Sequence, residues 1–383
     1  TRGGGVEEDE EDEEDWMRRT EAATGVWRAG DRRHSMETAH ICVIGDAFVD
    51  ILACPLDRMP SWGSDVDCPS ISQHPGGSAL NVAIHLGELL RGTPHTCSFY
   101  GLVGDDEFGR FLRSKLADSN VEDRTQSSGD SEASTGVCIV LSGSNDRGFV
   151  THVGATSKLG VGHLQEILEV DCRRKRLHVH VSGFYSCPSL QQQLPAFLDK
   201  LREEASSNSC KLTISLDTNG DASDLWDCGV ARVLERVDFF LPNEVEASGI
   251  ARKLMNESED CSDQLLELER AAQCLAGKVQ DAVVITCGKE GCISQTRTGA
   301  GASAPPTRWS APSGIVPVDA TGAGDAFDAG FIYSMVVSGG SLANAIQAGS
   351  CTGAYCTQHK GANSRPMSSS QLAEMVQEKF KAC

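Results

Sequence analysis

In the run Asp319-Ala320-Thr321-Gly322-Ala323-Gly324-Asp325-Ala326-Phe327, two glycines and a carboxylate stand immediately before an apolar stretch. Gly322 and Gly324 place no side chain between backbone and ligand, so the amides of Gly322, Ala323 and Gly324 can converge on one anion. Phe327, Phe331, Ile332 and Met335 recur at helical spacing. That spacing predicts that the amides open a helix, where free N–H groups and the macrodipole favour negative charge. Phosphate suits such a turn. Asp325, in the first turn, is then placed to accept the proton of an attacking hydroxyl, the task of a general base in phosphoryl transfer. The same residues also describe an ordinary glycine turn before a buried helix, with Asp325 as its cap.

Four further stretches bear on the choice. In His74-Pro75-Gly76-Gly77-Ser78-Ala79-Leu80-Asn81, the two glycines let the backbone lie against a polyhydroxylated ligand. A helix expected over 80–90 carries Asn81 towards the same opening, where it either binds a sugar hydroxyl or ties the turn to neighbouring backbone. Residues 41–50 form a short apolar strand ending in carboxylates, among them Asp50. Asn243-Glu244-Val245-Glu246 reads as a helix start, and Thr286 to Gly291 as a hairpin turn between apolar strands.

Taken in order, these pieces resemble the PfkB, or ribokinase-like, family of carbohydrate kinases over residues 41 to 365. The stretch 319–327 is similar to that family's C-terminal signature, and 74–83 to its N-terminal Gly-Gly signature. The resemblance implies a three-layer α/β/α fold with a central, mostly parallel sheet and a small β-lid. It implies ATP, magnesium and a small sugar-like acceptor. Asp50, Gly76, Gly77 and Asn81 would hold the acceptor; Asn243, Thr286, Gly288 and Gly291 the nucleotide; and Glu246 would organise magnesium through water. Asp319 and Thr321 match positions that help bind a monovalent cation such as potassium, with Lys360-Gly361-Ala362 completing that site. Arg365 stands where potassium-dependent relatives have a small oxygen donor, and a guanidinium cannot ligate a cation. Arg147 would reach the phosphate or substrate from the lid side, or else stand as a solvated turn residue.

Two departures concern the acceptor. Ribokinases proper have an asparagine at the position of Phe48 and a lysine at that of Ser78, and both changes remove polar contacts expected for ribose. A ketose or sugar acid therefore fits better than ribose. A nucleoside kinase of the adenosine type, with Phe48 or Phe184 stacking a base, is the alternative, as is an idle, ligand-sensing protein that kept the fold.

The chain has 383 residues and a net charge of −20, of which nine acids form the run Glu7 to Asp15. Such acidity argues against nucleic acid or an anionic membrane as partner. Residues 1–38 lack periodic apolar residues and read as an acidic, disordered tail, leaving 39–383 as the kinase domain. Strands are expected at 41–45, 98–103, 177–182, 212–217, 237–241 and 283–286, with helices at 190–203 and 265–275 among others. That alternation predicts a helix-covered parallel sheet. Segments 52–74 and 134–155 break the pattern and would form the lid, which also offers a surface for a homodimer. Sixteen scattered cysteines read as reduced, core-filling residues of a cytoplasmic protein.

Overall fold

Every residue of Ala39–Gly45 (β1) is buried, as an apolar run covered on both faces requires. Cys42 and Ile44 enter one core, while Ile41 and Val43 enter the other. The computed structural model describes residues 37–380 apart from 130–132, 144–146, 257–263 and 298–304. Residues 1–36 of the expected tail lie outside that description, as do Asn145, Asp146 and the side chain of Arg147.

The remaining strands are β2 (Phe48–Leu56), β3 (Ile71–Gly76), β4 (Thr96–Tyr100), β5 (Leu102–Val103), β6 (Glu122–Asp123), β7 (Gln126–Ser127), β8 (Gly136–Gly143), β9 (Arg147–His152), β10 (Arg176–Ser182), β11 (Lys211–Leu216), β12 (Phe239–Phe240), β13 (Ala282–Thr286), β14 (Cys292–Thr296) and β15 (Thr307–Trp309). A nine-stranded sheet runs in the order β15-β14-β13-β12-β11-β10-β1-β4-β6. It is parallel except where β14 and β15 add as antiparallel edge strands. One face packs against α3 (Leu194–Ser207), α4 (Glu244–Met255) and α5 (Gln264–Ala276). The other is covered by α1 (Ser78–Leu90), α2 (Glu107–Asp118), α6 (Ala323–Val336), α7 (Leu342–Cys356) and α8 (Ser369–Lys379). This is the ribokinase-like α/β/α architecture expected from the sequence.

Two local expectations differ. The strand expected over 98–103 breaks at Gly101, beyond which β5 leaves the main sheet to pair with β7. The helix expected over 190–203 is split: a short helix, Pro188–Gln191, ends with two residues between it and α3, which starts at Leu194. Pro195 lies in the first turn of α3, where the missing N–H is no loss.

A second sheet, ordered β3-β2-β8-β9, holds the lid segments; its first strand begins at Phe48, four residues before the expected boundary. β2 and β8 pair in parallel, matching Asp50 with Cys138 and Leu52 with Val140.

Gly45 brings the elements of the site together. Its φ is 151°, and a Cβ there would stand 1.9 Å from the Ser182 carbonyl oxygen and 2.8 Å from the Ala79 Cβ. Only glycine lets the start of α1 and the end of β10 close on the end of β1. Gly45→Ala is expected to lower unfolding free energy by about 2–4 kcal/mol, read by chemical denaturation; a loss within experimental error would show that the backbone relaxes there freely.

Candidate active site

Gly322 caps α6 with φ 75°, and a Cβ on it would meet that of Ala362 at 2.4 Å. Asp319 stiffens the turn: its Oδ1 accepts from the Thr321 amide at 2.9 Å and hydroxyl at 2.7 Å, and its Oδ2 accepts from the Gly361 amide at 2.9 Å. The Ala323 amide already donates to the Ala320 carbonyl, though over a long 3.3 Å. A Cβ on Gly324 would meet nothing within 4 Å. The fold therefore does not require glycine there, and the room lies in front of the helix terminus.

Asp325 is partly exposed and held by α1. Ser78 Oγ donates to its Oδ1 at 2.6 Å, and Asn81 Nδ2 to its Oδ2 at 2.8 Å. Burial pushes its pKa up, while the Ser78 and Asn81 hydrogen bonds oppose the rise. Ser78, read from sequence as removing a polar contact to ribose, makes one to Asp325 instead. Asn81, expected to face a sugar hydroxyl, has its nitrogen on Asp325 and its oxygen on the amide of Asn363.

Asp46 escaped the sequence reading. Gly77, the N-cap of α1, has φ 91° and no capping side chain. Asp46 Oδ1 fills that role from another strand end by accepting from the Ala79 amide at 2.9 Å. Burial raises the Asp46 pKa to about 7 against the effect of that bond, with the Asp325 charge adding to the rise. Asp50 also rises to about 7, through burial and then the charges of Asp325 and Asp46. Its carboxylate lies over Gly76, whose Cβ would be 2.3 Å from it.

At the ends of β11 and α4 the acids continue. Asn243 and Glu246 form a capping box: Asn243 Oδ1 accepts from the Val245 and Glu246 amides at 2.9 and 3.0 Å, and Glu246 Oε2 accepts from the Asn243 amide at 3.1 Å. Buried Glu246 is raised to about 7, chiefly by burial. Asp217 is raised well above the carboxylate range by burial, then by Glu246 and Asp325. Asp328, one turn beyond Asp325, is raised well above it by burial and by Asp217, Asp325 and Glu246. Its Oδ2 has no hydrogen-bond partner among the described residues and lies 3.6 Å from His180 Nε2, which burial keeps neutral with a pKa near 3. These acids repel one another and leave the buried Asp328 oxygen unpartnered, a repulsion that a nearby cation would relieve. Among the described residues, however, only His40, Cys42 and Asp171 bring three ligand atoms within 4.8 Å of one another. There Asp171 already accepts from Tyr100 at 2.8 Å and Arg174 at 3.1 Å, and a guanidinium beside it disfavours a cation.

Two cavities flank the α6 turn, and Ala320 lines both. One, of about 320 Å³, lies under the lid sheet and is lined by Asp50, His74, Asp319, Thr321 and Lys360. The other, of about 470 Å³ and largely apolar, is lined by Thr286, Gly288, Gly291, Ala323, Gly324 and Phe327. Asn243 does not line the second cavity; it bridges to Thr286 through backbone while its side chain caps α4. Gly76, Gly77 and Asn81 lie behind the first cavity rather than on its wall. Phe48 is buried where a Cβ on Gly136 would meet its ring at 2.5 Å. Phe184 is fully buried, edge-on to Tyr185, so the expected stacking of a base on it does not hold in this arrangement.

A sequence model of the pfkB family of carbohydrate kinases matches residues 38–369. A fructokinase from Klebsiella pneumoniae is 29% identical over 328 residues, covering 84% of this chain and 94% of its own. An adenosine kinase from Schizosaccharomyces pombe is 27% identical over 295 residues, covering 76% and 82%. Among solved structures, ribokinase from Giardia lamblia superposes with a TM-score of 0.71 at 19% identity, covering 89% of this chain and 99% of its own.

The raised pKa of Asp328 makes a signed prediction. Its folded value exceeds its unfolded one, so its stabilising contribution is present below the unfolded carboxylate value and lost as pH rises through the folded value. Asparagine has no proton to give up. Asp328→Asn should therefore gain on the parent by up to about 1.4 kcal/mol per unit as pH rises above the ordinary carboxylate value of about 4. Paired melting curves check this, and a stability difference that shrinks with pH would contradict it.

Proposed function

The chain belongs to the pfkB family of carbohydrate kinases, phosphotransferases with an alcohol acceptor, and we propose that it transfers the γ-phosphoryl group of ATP to a hydroxyl of a ketose, sugar acid or similar polyol in preference to ribose. The observation that carries this reading is the shared wall: the turn before α6 borders an acidic cavity on one side and an apolar one on the other. An acceptor beside Asp50 and a nucleotide beside Thr286, Gly288 and Gly291 would meet across the turn at Ala320, with Asp325 in the helical turn that follows.

In this scheme Asp325 takes the hydroxyl proton, and its raised pKa suits a base better than an ordinary surface carboxylate would. The first-turn amides of α6, at Gly322 to Gly324, stabilise charge on the transferred group. Bound magnesium supplies charge neutralisation at the phosphate oxygens; Glu246 would hold it through water, with Asp217 and Asp328 facing the same cluster. Asp319 and Thr321 are the side chains proposed for a monovalent cation, although Arg365 brings a guanidinium to the loop that would complete the site. Gly76 and Gly77 support Asp50 and α1 from behind.

The lid sheet exposes Ile71, Ile139 and Val150 at 69%, 40% and 60%, and register places them on the face away from Asp50. A second copy covering that face is part of the proposal. A cytoplasmic setting is another part, supported by the free thiols among the described cysteines; no helix of the described residues is long and apolar enough to cross a membrane. The adenosine kinase relative keeps a nucleoside acceptor as the second reading. An idle ligand sensor is disfavoured by the hydrogen-bonded seat of Asp325, which binding alone would not need.

Asp325→Asn should lower turnover by about 10²–10⁴ while ATP affinity, measured by calorimetry, stays within a few-fold. Parental turnover in this variant would remove Asp325 from its role. On an acceptor panel, ribose should trail the best ketose, sugar acid or nucleoside by roughly tenfold to a hundredfold in kcat/KM. Asp50→Ala should raise the acceptor KM far more than that for ATP. Ribose emerging as the best acceptor would sink the reading of Phe48, and an unchanged acceptor KM in the Asp50 variant would sink the placement of the pocket.

A further inference from the structure

Asn363 lies in the loop after α7 with 8% of its surface exposed, and nothing in the chemistry above uses it. Its Nδ2 donates to the Pro75 carbonyl at 3.1 Å and to Asn81 Oδ1. Asn81 in turn donates from Nδ2 to Asp325 Oδ2 at 2.8 Å. This relay has its polarity fixed at both ends, because a backbone carbonyl and an ionised carboxylate only accept. Asn363 must therefore present its NH2 group, and Asn81 must receive it on oxygen. That leaves the Asn81 NH2 facing Asp325. Turning the Asn81 amide over would set its oxygen against the carboxylate and its NH2 against that of Asn363.

We propose that Asn363 is a positioning residue for phosphoryl transfer, locking Asn81 in the one orientation that donates to Asp325 and tying that orientation to Pro75 in lid strand β3. The inference rests on Asp325 being the base. The loop does not need Asn363 to stay in place. Gly361 donates to Asp319 at 2.9 Å, His85 Nε2 lies 2.9 Å from the Ala362 carbonyl, and Cys356 Sγ donates to that same carbonyl at 3.2 Å. Asn363 can thus be altered with the residues just before it, Gly361 and Ala362, still anchored.

The isosteric change Asn363→Asp replaces the donor with an acceptor facing both Pro75 and Asn81. Turnover should fall by roughly tenfold to a hundredfold with KM for ATP within about twofold of the parent. In an Asn81→Ala background the same substitution should change kcat by less than about twofold, since no amide remains to be oriented. Should Asn363→Asp not fold, Asn363→Ala, which removes the donor alone, takes its place in the same cycle. An unchanged kcat in the single variant, or an equal loss in both backgrounds, overturns the proposal. Asp325→Asn separates the two ideas: if it is inactive while Asn363→Asp is as active as the parent, only the relay falls, and if it retains parental turnover, the base assignment falls first.

Discussion

A carboxylate at the N-terminus of a buried helix, gripped by two side chains of a neighbouring helix, is the interaction on which the rest of this molecule is arranged. Asp325 belongs to α6, and its donors Ser78 and Asn81 belong to α1, so the carboxylate keeps its seat only while these helices and the strand ends beneath them stay in register. Close approach makes that possible. Gly45, Gly77 and Gly322 each have positive φ and backbone or Cβ atoms within 3 Å of where their own Cβ would stand. Substituting any of them would move a helix end relative to a strand end. Here precision comes from the backbone, and side-chain chemistry is fitted onto it.

The same arrangement carries an electrostatic cost. Asp46, Asp50, Asp217, Glu246, Asp325 and Asp328 all have raised pKa values, from burial and, for most, from one another's charge. An isolated buried carboxylate is expensive unless it is paired, hydrogen-bonded or neutralised. A fold selected for stability alone would scatter these acids. Under the proposed function a bound cation would relieve this repulsion, which the protein alone meets by taking up protons. Neutral His180 beside Asp328 leaves that strain unrelieved from below.

How much of this was legible in the sequence depended on the distance along the chain over which a role is defined. Strands such as β1, β10 and β11 are apolar runs with local turn signals, and the Asn243–Glu246 box is an (i, i+3) pattern; both could be read directly. The glycine turn and the proposed base Asp325 could be singled out because both lie in one short segment. Ser78, Asp46, Asp217 and Asn363 could not. Ser78 reaches Asp325 across 247 positions, Asn363 reaches Asn81 across 282, and Asp46 caps a helix 33 residues on. No spacing rule reports such pairings, which exist only once the sheet order is set. Phe184 failed for the opposite reason. Its type suggested a stacking surface, but an aromatic beside a strand end serves packing at least as often.

The lid strands carry the last consequence. β2 and β3 pair with Asp50 opposite His74 and Val49 opposite Pro75, so the carboxylate that lines the cavity and the carbonyl that receives Asn363 lie one register step apart on the same ribbon. A displacement of β3 that opens the cavity beneath the lid must also move Pro75, and with it the outer anchor of the Asn363–Asn81–Asp325 relay. Under the proposed mechanism, an acceptor that drew Asp50 and β3 into place would also set the frame that orients Asp325. Coupling of this kind would suppress base activity when no acceptor is present, which protects ATP from water without any separate gate. It also ties evolution of the acceptor pocket to turnover: a substitution in β2 or β3 that reshapes the cavity without preserving the Pro75 carbonyl position would change specificity and rate together.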